Sequence, residues 1–181
     1  SGGNENAICK EFRTLIGRCY LPPRRAFGLA LSRWGYKTEE DVREVARQYK
    51  EHDLPLDMSC MDIEYMQDYA DFTVNKERFP DLTKLSADLK AQGIRLVPII
   101  AAGVRIDPND PTCTEGLEKG YFCKKADGTP FVAAVWPGKA YFADFLRPEV
   151  REWFGQKYKA LTDCGLEGLW NAMDENSLFY S

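Results

Sequence analysis

The sequence carries one histidine, His52, in 181 residues, and none of its six cysteines (Cys9, Cys19, Cys60, Cys113, Cys123, Cys164) stands in a C-x-x-C pair. Zinc sites of ordinary spacing draw on these two residue types, so no metal is expected, and mechanisms that use histidine as base are left without material. Thiols so spaced read as reduced and either buried or incidental, which fits a cytoplasmic protein. No stretch approaches the roughly 18 apolar residues of a membrane-spanning helix, and no signal-peptide core follows the N-terminus. Charge of one sign never accumulates either: 24 basic and 28 acidic residues are interspersed, for a formal charge of -4. Neither nucleic acid nor a membrane surface is therefore an expected partner. The phosphate-cradling G-x-x-x-x-G-K-[ST] loop and the G-x-S-x-G elbow are also missing, and no cofactor is implied.

What remains is a chain with 44% hydrophobic and 13% aromatic residues, enough apolar surface for one folded domain. "AFGLALS" (Ala26 to Ser32) reads as a first strand after the Pro22-Pro23 stop. "TEEDVREVARQYKEHD" follows, with Thr38 as N-cap and Val42, Val45, Ala46 and Tyr49 at helical spacing. Leu54 to Ile63 is a second strand. A second helix begins at the cap Asp81, places Leu82, Leu85 and Leu89 on one face, and ends at Gly93. Ile94 to Ile100 is a continuous apolar run, as in strands covered on both faces. A third helix from Pro148 to Gly165 carries Val150, Trp153, Phe154, Tyr158 and Leu161 as its stripe, and "LEGLW" makes a fourth strand. Strand and helix in alternation predict parallel strands joined by right-handed crossovers. A closed (β/α)₈ barrel needs about 250 residues, so the expectation is a parallel (β/α) half-barrel, the first four βα units of a TIM-type barrel. The long connection from Ile100 to Arg147 is predicted to hold a β-hairpin turning at Asp127-Gly128, with Trp136 over the active face.

Carboxylates gather where two strands end: Asp62 and Glu64 after the second, Asp174 and Glu175 after the fourth. Residues at i and i+2 of a strand share a face, so Asp62 and Glu64 are expected to project together. Glycoside hydrolysis needs such a pair, one acid as nucleophile or base and one as proton donor, but acids that cap turns or face water make the same pattern. Trp34, Trp136 and Trp170 stand at strand ends or in the long loop, where an indole suits either a sugar ring or the core. Trp153, within the helical stripe, reads as core, and His52 as a helix-end residue. One position is odd. Ala172 lies two beyond Trp170, on the same side of an extended chain, and offers no chemistry.

Taken in order, "LPPRRAFGLALSRWGY", "MDIEYMQDYADFTVNKERFP", "LVPII", "DGTPFVAAVWPGKAYFADFLRPEVREWFG" and "GLWNAMDEN" resemble glycoside hydrolase family 31, the retaining α-glucosidases and their relatives, from about Leu21 onward. The resemblance divides the chain into residues 1–20, a linker headed by an expression remnant, and residues 21–181, part of the catalytic barrel. It implies cleavage of terminal α-glycosidic bonds by two aspartates through a covalent intermediate, without metal or cofactor. It places the nucleophile at Ala172, where the carboxylate is missing, a substrate-binding aspartate at Asp62, and another at Ala101, also missing. Trp34, Trp136 and Trp170 match pocket aromatics, Glu175 matches an acid that supports the nucleophile loop, and Asp174 replaces an asparagine. The proton donor belongs to a later strand, past Ser181. The expectation is a fragment of an α-glucosidase-type hydrolase without turnover of its own. The alternatives are a non-catalytic module that binds an α-glucoside weakly, or a homodimer that closes two half-barrels.

Overall fold

Helices in this chain begin where a side chain or a proline can deal with the free N–H groups of a first turn. Asn4 caps α1 (Glu5–Ile16), Thr38 and Asp41 form a capping box on α2 (Glu39–Glu51), and Asp81 caps α3 (Leu82–Ala91). Asp110 caps α4 (Pro111–Glu118), whose first turn holds a proline, as does that of α5 (Pro148–Lys157). Gly93 and Gly165 take left-handed φ of 87° and 80° just past their helices. The structure, a computed structural model, describes residues 3–173 and 177–180.

Four strands, β1 (Ala30–Arg33), β2 (Met58–Met61), β3 (Arg95–Ala101) and the last one of the chain, Trp170–Ala172, form a parallel sheet in that order. This is the parallel half-barrel expected. Between its third and fourth strands, β4 (Gly103–Arg105), β5 (Val132–Val135) and β6 (Gly138–Phe142) make a separate antiparallel sheet ordered β4-β6-β5, so the fourth barrel strand is β7. β3 lies between β2 and β7 and pairs with them at different heights on its two edges. Met58 to Met61 pair with Arg95 to Pro98, whereas Trp170 to Ala172 pair with Ile99 to Ala101. That stagger is the shear by which a tilted sheet curls toward a barrel.

Sequence reading and structure part company at strand ends. Ala26 and Phe27, expected in the first strand, lie in a 3₁₀ turn (Arg24–Phe27), and the strand begins at Ala30. Gly28 sits between them because a Cβ there would stand 2.1 Å from Asp57 Oδ2, which accepts the Leu29 N–H at 3.0 Å. The third helix breaks at Tyr158 into α5 and a single turn, α6 (Lys159–Thr162), with the expected stripe still buried. Asp127-Gly128 does turn the chain, closing the Lys124–Pro130 bridge, but the main hairpin of the insertion reverses at Trp136-Pro137. Residues 1–20 contain α1, whose Ile8, Phe12, Leu15 and Ile16 are exposed on one stripe.

The outer face of the sheet buries Val42 and Ala46 of α2, Leu82, Leu85 and Leu89 of α3, and Val150, Trp153, Phe154 and Leu161 of the last pair. A smaller core of Ala133, Val135, Ala140 and Phe142 belongs to the insertion, with Met173 packed on it. Two carboxylates knit the elements. At the amino ends of the strands, Glu167 meets Lys90, Arg95 Nε at 2.7 Å and Arg25 at 3.3 Å, tying α3, β3 and the 3₁₀ turn together. Glu115 joins α4 to α5 through Lys157 at 2.5 Å, with Lys119 at 2.6 Å. Lys90 and Arg95 beside Glu167, and the two lysines beside Glu115, hold each carboxyl well below its usual range, at about 2.

A carboxyl held low in the folded state stabilises above its unfolded value and loses that contribution as pH falls through the folded one. Glu167→Gln is therefore expected to lower the thermal midpoint by about 2–4 °C at pH 7. The gap should narrow as both proteins are taken from pH 5 down to about 2, where wild-type Glu167 is itself half protonated. Melting curves across that range check it; a gap that stayed constant would show that the pairs do not stabilise the fold.

Candidate functional site

In a parallel sheet of this kind the chain ends at one pole, and loops after the strands build sites there. Trp34 follows the last residue of β1, Asp62 follows that of β2, and Ala101 and Ala172 end β3 and β7. The register brings them together: Arg33 pairs with Met61, one step before Trp34 and Asp62, and Ala101 pairs with Ala172. Asn171 points outward, because its Oδ1 accepts from Tyr158 Oη at 2.8 Å. Trp170 and Ala172, flanking it, therefore face inward, and so do their partners Ile99 and Ala101. Two methyl groups stand side by side where the sheet could present two acids.

Asp62 is half-buried and spends one oxygen on the backbone, Oδ1 accepting from the Ile63 N–H at 2.8 Å. It starts a 3₁₀ turn (Ile63–Tyr65), and this overturns the expectation that Asp62 and Glu64 share a strand face: the strand ends at Met61. Glu64 is buried instead in a polar chain of its own. Its Oε1 accepts from Trp34 Nε1 at 3.2 Å, its Oε2 pairs with Arg78 Nη1 at 3.2 Å, and Arg78 Nη2 donates to the Met66 carbonyl at 3.1 Å. Trp34, 66% exposed, is thus an indole plate held at its N–H edge. Trp136 is 46% exposed at the tip of the insertion hairpin, edge-on to Phe179 with centroids 4.9 Å apart. Trp170 is half-buried at the start of β7, packed on the core. Asp174 and Glu175 lie outside the described residues. His52 caps α2, with Nδ1 2.9 Å from the Gln48 carbonyl.

The strand ends thus offer Asp62 and exposed or half-buried indoles, a surface able to stack on and hydrogen-bond a hydroxylated ring. The polar chain of Glu64 and Arg78 was not foreseen, although the run from Glu64 to Phe79 carries several charges among its aromatics. Asp71 was not foreseen either. It is 4% exposed, and its Oδ1 accepts from the Ala101 N–H at 3.0 Å. Among the described residues, no three acids, histidines or cysteines come together as a metal-binding group, and no helix is long and apolar enough to cross a membrane.

Comparison with known proteins agrees with the geometry. The family model described as "Glycosyl hydrolases family 31 TIM-barrel domain" matches residues 19–180. "Alpha-glucosidase 2" of Bacillus thermoamyloliquefaciens is 45% identical over 179 residues, covering 99% of this chain and 23% of that protein. Among solved structures, a glucosidase II alpha subunit in its alpha3-Glc2-bound form superposes with TM-score 0.79 at 33% identity, over 87% of this chain and 18% of that one. An aspartate-to-alanine mutant of the Flavobacterium johnsoniae GH31 dextranase, complexed with isomaltotriose, superposes with TM-score 0.89 at 25% identity, over 97% and 22%. The chain therefore spans about a fifth to a quarter of the length of these relatives.

Removing a partner from a buried charge costs more than the pair contributes. Glu64→Leu, which strands both Arg78 and the Trp34 N–H, is expected to destabilise by about 2–3 kcal/mol, and Glu64→Gln, which keeps an acceptor for the indole, by about 1 kcal/mol. Urea denaturation measures both; equal losses in the two variants would refute the polar chain.

Proposed function

Because this chain belongs to glycoside hydrolase family 31, with strands from the first half of that family's barrel domain, we propose that it is part of an α-glucosidase-type hydrolase acting on terminal α-glycosidic bonds. As it stands, it holds sugar without cleaving it. One observation carries this reading: the acids that the family resemblance assigns to the ends of the third and fourth barrel strands are replaced by Ala101 and Ala172, neighbours in register. A retaining mechanism without its nucleophile loses most of its rate, and a methyl group neither attacks nor accepts a proton. The proton donor of the resemblance is not among residues 1–181. Asp62 and the tryptophans remain to bind. Each missing charge-assisted contact removes roughly 1.5–3 kcal/mol, so affinity in the millimolar range or weaker is expected. The dextranase mutant that holds isomaltotriose supports binding without a full set of acids, since it too has alanine in place of an aspartate. Placement in a reducing compartment such as the cytoplasm belongs to the same proposal, supported by six free thiols.

A second reading, closure of two copies into an eight-stranded assembly, is favoured by the inner face. Ala30 and Ser32 of β1 are exposed, and Met58 and Cys60 of β2 half-buried, beside the sheet edges at β1 and β7.

Titration with glucose and isomaltose, followed by tryptophan fluorescence, is expected to give a saturable change in the millimolar range. Hydrolysis of an aryl α-glucoside should not exceed the blank. Turnover above blank would sink the inactive reading, and a flat titration would sink the binding one. Sedimentation at rising concentration tests closure, for which a monomer throughout is the contrary result.

A further inference from the structure

β2 leaves β3 early. Its last pair is Met61 with Pro98, so the edge of β3 beyond that point has no strand beside it on the β2 side. Side chains take its place. Tyr65 Oη donates to the Ile99 carbonyl at 2.7 Å, and Asp71 Oδ1 accepts from the Ala101 N–H at 3.0 Å. A carbonyl and an N–H two residues apart point to one edge of a strand, so these two contacts continue the ladder that β2 dropped. Both side chains are buried, and a carboxylate at that depth is costly to desolvate unless it is bonded.

The segment that presents them is strained. Asp68, Tyr69 and Phe72 have φ of 49°, 59° and 63°, left-handed values that residues with side chains avoid. Local contacts hold it there. Thr73 Oγ1 accepts from the Gln67 N–H at 3.0 Å and donates to the Ala70 carbonyl at 2.5 Å. Phe72 stands edge-on to Phe154 and Tyr158, with centroids 5.0 and 5.2 Å away. Tyr158 in turn bonds Asn171, the residue between Trp170 and Ala172. One loop therefore reaches both strands whose ends carry the Ala101–Ala172 pair.

We propose that Asp71 is a positioning residue of the sugar site: its carboxylate, acting through the Ala101 N–H, sets where the end of β3 stands against β7. The consequence for sugar rests on the binding reading above; the consequence for the backbone does not.

The test compares the full chain with Asp71→Asn and Asp71→Ala by amide proton–nitrogen spectra, thermal unfolding and isomaltose titration. Asparagine keeps an acceptor oxygen and drops the charge. In Asp71→Asn the Ala101 amide proton should move toward the position of a neutrally bonded amide, with Ala172 moving alongside, while amides of α1 such as Phe12 stay in place. In Asp71→Ala both should move further. Isomaltose affinity should fall a few-fold in the first variant and about tenfold in the second, at a temperature below both unfolding midpoints. An unmoved Ala101 amide in Asp71→Asn overturns the proposal, even if Asp71→Ala does not fold. So does a variant that loses thermal stability while its Ala172 amide and sugar affinity are those of the parent, since Asp71 would then only pack. If the parent shows no saturable response to isomaltose, the binding reading fails, and the two amides still decide whether Asp71 sets the strand end.

Discussion

The offset between the two neighbours of β3 is the constraint to which the rest of the molecule answers. A strand that bonds β2 over Arg95 to Pro98 and β7 over Ile99 to Ala101 is shared between neighbours displaced along the sheet, and the displacement makes the sheet curl. Its consequences run in both directions. Toward the amino ends, β7 has not begun, and Glu167 gathers three cations in the space before it. Toward the carboxyl ends, β2 has finished, and the loop from Asp62 to Asn75 fills the gap with a 3₁₀ turn, a buried tyrosine and a buried aspartate. The site stands on the second of these regions.

The helices α2 and α3 were legible in the sequence to within a residue or two because their signals are local, whereas α1 and α4 were not foreseen. Thr38, Asp81, Gly93 and Gly165 each do one job for one turn of chain, and each does it in the structure. Strand limits were not. A stretch such as "LEGLW" reads as a strand whether or not it is paired, and pairing begins only at Trp170, opposite Ile99 of β3. The insertion shows the same effect. Asp127-Gly128 is a strong turn signal but closes a minor bridge, whereas the working turn at Trp136-Pro137 is marked by Pro137-Gly138, with Gly138 at φ 90°, a signal that the sequence reading passed over.

The site divides along the same line. Trp34, Asp62 and Ala172 were marked by their places at strand ends, Ala101 only by family resemblance, and the described residues put all four at one pole of the sheet. Glu64 was misjudged through a rule that holds only while a strand lasts. Asp71 was missed because a single acid between Ala70 and Phe72 has no spacing to betray it; its role depends on an amide thirty residues away. Placing alanine at both 101 and 172 also removes a conflict. Two carboxylates on paired positions of adjacent strands would repel, a cost that active sites bear and that methyl groups avoid.

The insertion sheet has a further edge, and its closure is a matter of timing. Ala134 in β5 exchanges backbone hydrogen bonds with Phe179 and Tyr180, at 2.9 and 2.8 Å. Those partners are made later, after β6, α5, α6 and β7. On a ribosome adding roughly 5–20 residues per second, β5 waits a few seconds with that edge open, beside an aromatic hairpin tip. A long-range pair of this kind is slow to form and easily taken by another nascent chain, so the step most exposed to error in the biogenesis of this domain lies in its ornament rather than in its barrel.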